Sequence, residues 1–272
     1  MINFTGIVVT CNEAMRLRDC LNSLSFCEQL IVIDLGSSDA SVKIAKEFGA
    51  EVYHYEKIPV VEKIHEMAVN NYARNEWFIR IDPDEVLPPN LKEKLEFLIK
   101  KEPDLGTIRI PWQFYVKGKP LYGTIWGKDN SKPVVLHKSR IKFNPYVHAA
   151  TSLLKGYRES TLPRNNDCFI RHYWVDSYRQ MVQKHWIYLG KEGEARYSRG
   201  ERFSIYRLFS TPIIAFKHSL ISCNGYRNVT GTFLSFFYAW YVLMSLLSLR
   251  KYHKAVQIDS ETSLTTPSSS KK

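Results

Sequence analysis

The apolar positions of this chain keep two alternating rhythms over its first hundred residues. Residues 4–10 are a short β-branched run, and residues 13–25 carry Met15, Leu17, Leu21 and Leu24 at helical spacing. Residues 30–33 read as a second strand that ends in Asp34-Leu35-Gly36-Ser37-Ser38-Asp39. A helix over 40–48 stopped by Gly49, a third strand over 51–55 and a helix over 63–73 follow. Residues 77–81 form a fourth strand that runs directly into Asp82-Pro83-Asp84-Glu85, and Pro88-Pro89 open a helix over 90–101. This succession predicts an α/β fold, a mostly parallel sheet with helices on both faces. Such sheets bind ligands beyond the carboxyl ends of their strands. The acidic positions at 13, 34–39 and 82–85 all fall there.

From residue 106 the pattern changes to short β-like runs rich in Trp, Tyr and Pro, with strands expected over 107–115, 134–137 and 168–173 and a loop over 122–133. Helical periodicity returns over 176–189. An apolar stretch over 205–222, broken by Pro212 and Lys217-His218, precedes residues 229–249, which carry no charge. Their length would permit a membrane span. Yet Ser235, Tyr238, Tyr241, Ser245 and Ser248 share one stripe, which predicts a helix lying in the membrane interface, with Arg227, Arg250 and Lys251 on anionic headgroups. The Ser/Thr-rich tail is expected to be disordered. The resulting boundaries are 1–105, 106–200, 201–254 and 255–272, with no internal repeat.

Composition sharpens this picture in two ways. At 44% hydrophobic and 24% charged the chain is globular, not disordered. Its net charge of +11 is concentrated: residues 155–254 hold 16 Lys and Arg against 6 Asp and Glu, or +10, and the rest is +1. A basic region of this kind faces something anionic, and here an anionic membrane surface is expected. Charge alone would suit nucleic acid equally well, but no nucleic-acid partner is expected, because three acidic strand ends would repel its phosphates without a metal. Five scattered cysteines without a CxxC pair, and an N-terminus that reads as a strand instead of an export signal, point to the cytoplasm.

Asp82-x-Asp84 at a strand end carries the strongest chemistry. A nucleotide diphosphate leaving group develops charge that a hard divalent cation, Mn²⁺ or Mg²⁺, neutralises when carboxylates hold it. Pro83 supplies the turn that lets two carboxylates one residue apart act together.

Thr10-x-Asn12-Glu13, Val32-Ile33-Asp34-x-Gly36-Ser37-x-Asp39 and Glu76-Trp77-x-Ile79-x-Ile81-Asp82-x-Asp84-Glu85 together resemble the family 2 glycosyltransferases of GT-A fold, in particular the lipopolysaccharide-core and cell-envelope glucosyltransferase branch. The resemblance implies an inverting transfer of a sugar from a nucleotide diphosphate donor, UDP being favoured, to a lipid-linked or envelope glycan acceptor. It places Thr10, Asn12 and Glu13 around the nucleotide, Asp34 on the base ring and Asp39 holding the loop. Asp82 would lie near ribose and donor sugar and contribute to the metal, Asp84 would be the principal metal ligand, and Glu85 would back the metal or touch sugar. A carboxylate suits uracil, which offers one ring N–H.

His172 is the candidate that completes the metal site, with His148 as its rival. Asp129, in an aromatic, Gly-bearing loop, is the candidate general base. Trp112, Tyr122 and Trp126 are candidate sugar-stacking residues or core. Two departures from the family pattern stand out. Ala149 replaces an acid after His148, and His65-Glu66-Met67 replaces basic phosphate contacts, a role left to Lys63. They motivate the alternative of an inactive nucleotide-sugar-binding or membrane scaffold protein. The enzyme is expected peripherally, on the cytoplasmic face of the membrane.

Overall fold

The computed structural model describes residues 1–56, 61–128, 130–143, 151–165 and 168–265, with the side chains of 61, 62 and 258–265 left aside. The chain divides into two compact units, Met1–Tyr115 with Asp129–Trp174, and Val116–Lys128 with Val175–Lys272.

The first unit begins with β1 (Phe4–Thr10), α1 (Ala14–Ser23), β2 (Gln29–Asp34), α2 (Ser41–Glu47), β3 (Glu51–His54), α3 (Val61–Tyr72) and β4 (Trp77–Ile81). Next come β5 (Glu85–Val86), α4 (Leu91–Lys101) and β6 (Leu105–Val116). After β7 (Lys119–Pro120) and α5 (Thr124–Gly127) of the second unit follow β8 (Asn130–His137), β9 (Ile141–Lys142), β10 (Ser152–Leu153), β11 (Arg158–Thr161) and β12 (Ile170–Val175). The sheet runs β3-β2-β1-β4-β8-β6-β12-β5. β1 pairs in parallel with both β2 and β4, whereas β8 is antiparallel to β4 and β6, and β12 to β5. The expected α/β class therefore holds, but the sheet is mixed. Its first four strands are linked by helical crossovers and run parallel; of the later strands, β8 reverses between β4 and β6, and β12 is antiparallel to β5, while β11 is parallel to β6.

Alternate residues of the parallel strands feed two apolar layers. Val8, Val32 and Ile79 pack with Leu17, Leu21 and Leu24 of α1 and Leu91 and Leu95 of α4. Ile7, Ile31, Ile33 and Phe78 pack with Ile64, Ala68 and Val69 of α3. Burial on both faces explains the continuous apolar runs. The loop expected over 122–133 is shorter than anticipated: β8 starts at Asn130 and tolerates Pro133 because the register slips beside Arg109, its partner.

The second unit is helical: α6 (Tyr178–Ser198), α7 (Ile205–Lys217), a wide helical turn over His218–Ser222 and α8 (Val229–Thr265). Ser177 caps α6 by accepting from the Gln180 N–H. Three expectations change here. α6 continues through Gly190 and Gly193, because Gly193 allows close packing: a Cβ there would meet the Ser248 carbonyl at 2.5 Å. α7 passes through Pro212, its buried Leu208 and Ala215 against α8 offsetting one lost backbone bond. α8 runs to Thr265, into the tail expected to be disordered, since extending an existing helix costs far less than starting one.

The serine stripe of α8 faces inward. Ser235 and Ser245 are buried; Ser235 meets Ser219 at 2.9 Å, Ser245 accepts from Arg196 at 2.7 Å, and Ser248 donates to the Leu189 carbonyl at 2.9 Å. The polar stripe is thus a helix-packing seam, not the headgroup-facing surface expected of it. Exposed apolar side chains lie away from this seam, at Ile205, Tyr206, Phe209, Ile213 and Ile214 of α7, at Trp186 and Ile187 of α6 and at Val229, Phe233 and Phe236 of α8. Over Val229–Gln257, α8 is long and apolar enough to cross a membrane.

Candidate active site

The ends of β1, β2 and β4 lie side by side because β1 is hydrogen-bonded to both neighbours, with Thr10 opposite Asp34 and Val8 opposite Ile81. The first loop pair closes around Asn12, whose backbone adopts the left-handed conformation at φ 59°. Its N–H donates to Ser37 Oγ (2.9 Å) and its side-chain oxygen accepts from the Ser38 N–H (2.8 Å). Asp39 accepts from the N–H groups of Ala14 and Ser41. Glu13 donates its N–H to Ser41 Oγ at 3.0 Å.

Asp34 is buried and already occupied: its oxygens accept from the N–H groups of Gly36 and Ser37, and His54 Nδ1 lies 3.1 Å away. Burial works against its charge. Ser37, His54 and Gly36 outweigh it and hold the carboxyl below the usual carboxylate range. A hydrogen bond to a base ring would have to share these oxygens. Thr10 Oγ1, by contrast, is buried and has no hydrogen-bond partner among the described residues. Lys63 is exposed on α3.

The second cluster is built on a turn. The Glu85 N–H donates to the Asp82 carbonyl at 3.0 Å across Pro83, and the Asp82 N–H donates back to Glu85 Oε2 at 3.0 Å. Glu85 is fully buried and is the hub of the site. It accepts from Lys132 Nζ at 2.7 and 2.8 Å and stands 3.1 Å from His172 Nδ1, a contact set by the pairing of β5 with β12. Of the two ring nitrogens of His172, Nδ1 is the one that faces the Glu85 carboxylate. Its Nε2, buried without a hydrogen bond, faces Asp84 Oδ2 at 3.7 Å.

Sequence reasoning placed Asp82, Asp84 and His172 in one metal site. The structure joins Asp84 to His172 but turns Asp82 towards Lys132, whose Nζ is 2.6 Å from Asp82 Oδ2. Among the described residues no group of three or more His, Cys, Asp and Glu comes together around one point. Packing around Asp82 disfavours its charge, yet Lys132 overrides this and keeps the carboxyl far below its ordinary range. An imidazole nitrogen and a carboxylate remain as a donor pair of the kind Mn²⁺ accepts, with Glu85 orienting the imidazole from behind.

Lys132 was missed because it lay in an expected loop; only its pairing with Ile110 on β6 brings it here. Arg16, stacked 4.6 Å above the Tyr173 ring, was missed too; the Tyr173 N–H donates to the Asp84 carbonyl. Trp112 flanks the cluster, 5.5 Å from the His172 ring and 5.8 Å from Lys132 Nζ. Trp126 is instead packed on His185 and Tyr238 inside the second unit, and Tyr122 is exposed. Asp129, His148 and Ala149 lie outside the described residues.

Carboxylates thus gather at the ends of β2 and β4, on either side of β1. The sequence profile described as "Glycosyl transferase family 2" matches residues 5–140, and the chain belongs to that family. An uncharacterised glycosyltransferase of Rickettsia prowazekii is 22% identical over 79% of this chain and 75% of its own length. The lipopolysaccharide core biosynthesis glycosyltransferase LpsC of Rhizobium meliloti is 23% identical over 78% of each. An uncharacterised Rickettsia bellii glycosyltransferase is 28% identical, but the match covers 36% of this chain and only 33% of that relative. Among solved structures, S. aureus TarS 1-349 in complex with UDP superposes with a TM-score of 0.49 at 12% identity, covering 95% of this chain and 92% of TarS.

Proposed function

We propose that this chain is an inverting glycosyltransferase that moves a hexosyl group from a UDP-sugar to a lipid-linked or cell-envelope glycan acceptor, assisted by Mn²⁺ or Mg²⁺. The observation that carries the reading is the orientation of His172 by Glu85 towards Asp84, at the end of strands whose neighbouring loops are already closed. A divalent ion held by Asp84 and His172 would offset the charge that develops on the leaving diphosphate. The chain's own residues do the rest. Asn12 and Asp39 fix the floor of the nucleotide pocket, Thr10 offers a hydroxyl, and Asp34 and Glu13 line its sides. Lys63 is assigned to the diphosphate and Asp129 to removal of the acceptor proton. LpsC, by its name, works in lipopolysaccharide core biosynthesis, which favours an envelope acceptor.

Attachment to the cytoplasmic face of an anionic membrane is part of the same reading, now resting on α7. Ile205, Tyr206, Phe209 and Ile213 present an apolar face, and exposed Lys217 carries charge at its edge. The test is a thermal-shift series of nucleotide sugars with and without Mn²⁺, followed by product analysis with the best ligand. A stabilisation that needs both a UDP-sugar and the metal is expected. No response to any nucleotide would remove the reading.

A further inference from the structure

We infer that His54, and not Asp34, meets the nucleobase of the donor, and that Asp34 is the positioning residue that holds the imidazole in place. The inference rests on the nucleotide-sugar reading above and names the base contact of that site, made to a ring N–H of the kind uracil offers.

Thr10, Asp34 and His54 stand in register across the ends of three neighbouring parallel strands, β1, β2 and β3. Ligands of such sheets bind beyond these ends. The side chains differ in what they still offer. Thr10 Oγ1 is buried without a hydrogen-bond partner among the described residues. The Asp34 side chain is 2% exposed, that of His54 63%. A carboxylate has about four acceptor positions. Those of Asp34 are taken by the Gly36 N–H at 3.2 Å, the Ser37 N–H at 3.1 and 3.2 Å, and His54 Nδ1 at 3.1 Å. A base that reached Asp34 would have to open this turn and displace a partner. A base that reaches His54 displaces only solvent.

Asp34 in turn prepares the imidazole. Burial opposes its charge, but Ser37, His54 and Gly36 hold the carboxyl below the usual carboxylate range. An ionised carboxylate against one nitrogen of a histidine fixes the ring and makes the other nitrogen a better acceptor. The His54 ring makes no other hydrogen bond among the described residues, so Nε2 is left for a ligand. The backbone beneath it is held as well: the Tyr55 N–H donates to the Asp34 carbonyl at 3.0 Å, one residue past His54. An acceptor fixed in this way suits the N3–H of uracil and not the bare N3 of cytosine.

The experiment compares UDP and CDP binding to the full chain by titration calorimetry at one Mn²⁺ concentration, with unfolding midpoints recorded alongside. His54→Leu keeps bulk but has no acceptor. It is expected to weaken UDP by at least about tenfold, the usual contribution of one well-placed hydrogen bond, and CDP by less than threefold. Its midpoint should stay within a few degrees, because the side chain is exposed. His54→Gln, whose amide reaches about as far as Nε2, is expected to keep UDP within threefold. Asp34→Asn added to His54→Leu should weaken UDP less than threefold further, because Asp34 acts through His54. Four results would overturn the inference: no preference of the unaltered chain for UDP over CDP, UDP affinity within twofold of the original in a folded His54→Leu, equal losses of UDP and CDP, or a further tenfold loss in the double variant. If the double variant does not fold, the comparison of UDP with CDP in His54→Leu decides alone. Absence of binding of either nucleotide to the unaltered chain would instead remove the donor reading itself, and the base contact with it.

Discussion

Glu85 Oε1 stands 3.1 Å from His172 Nδ1, and a residue buried at the start of β5 thereby sets which nitrogen of a histidine on β12 is turned towards Asp84. The two strands form an antiparallel pair whose register sets His172 opposite Glu85. Rotation of the imidazole is limited further by the stacked Phe114 ring, 4.6 Å away.

Replacing Glu85 with Gln should leave the fold recognisable and weaken Mn²⁺ binding by about 10–100-fold, the usual effect of losing the carboxylate behind a ligating histidine. Titration calorimetry with Mn²⁺ and UDP checks this. Affinity within a factor of two of the original would show that the Glu85–His172 contact does not tune the site.

Asp84→Ala removes the oxygen that faces His172 Nε2. Turnover of the donor should fall by at least about 10²-fold, in the range seen when a group stabilising transition-state charge is lost. Metal-free binding of the nucleoside should survive, since the loops holding Asn12 and Asp39 do not involve Asp84. Initial rates and equilibrium dialysis separate the two effects.

His65 gives a pH signature to stability. Burial, reinforced by Arg80 and Lys132 and only partly countered by Asp82, lowers its imidazole to about 3. In the unfolded chain it titrates near ~6.5. The folded state thus refuses a proton that the unfolded state accepts, so stability is complete above ~6.5 and is lost as pH falls from there towards the folded value. The loss approaches about 1.4 kcal/mol per pH unit. His65→Leu should flatten the decline in Tm between pH 6.5 and 5, measured by calorimetry; an unchanged slope would place the acid sensitivity elsewhere.

Two glycines of α6 should respond oppositely. Gly193→Val forces a side chain against the Ser248 backbone and should cost about 1–3 kcal/mol. At Gly190 a Cβ meets nothing within 4 Å, so Gly190→Ala should stabilise by roughly 0.5–1 kcal/mol through helix propensity. Urea midpoints of both variants give the comparison.

For the membrane reading, Phe209→Glu/Ile213→Glu should abolish flotation with vesicles containing phosphatidylglycerol while leaving Tm within a few degrees. Both side chains are exposed, at 67% and 57%, so their loss removes little packing. Retained flotation would exclude α7 as the docking face.

What the sequence disclosed was what is local. Continuous apolar runs located β1, β2 and β4, and their acidic ends located the site, because a parallel strand and the residue that follows it are read along the chain. Lys132 was hidden because its meaning depends on a cross-strand partner twenty-two positions away, Ile110, and on a register slip at Arg109. The serine stripe was visible but misread. Periodicity reports which residues share a face, not whether that face meets lipid or another helix; Ser219 and Leu189 decide that. Helical periodicity reads only as far as Leu189, whereas α6 runs on through Gly190 and Gly193, since a glycine that permits close packing looks the same in sequence as one that stops a helix.

The knitting of Asn12, Glu13 and Ala14 to the loop at 37–41 has a further effect on anion recognition. The N–H groups of Asn12, Glu13 and Ala14 leading into α1 are already committed to Ser37, Ser41 and Asp39, so these three amides form no cradle for a phosphate. Phosphate groups must then be met by mobile ions and long basic side chains. On the proposed reading, donor discrimination then falls to the nucleoside and its sugar, and inorganic phosphate should compete poorly with a nucleotide sugar.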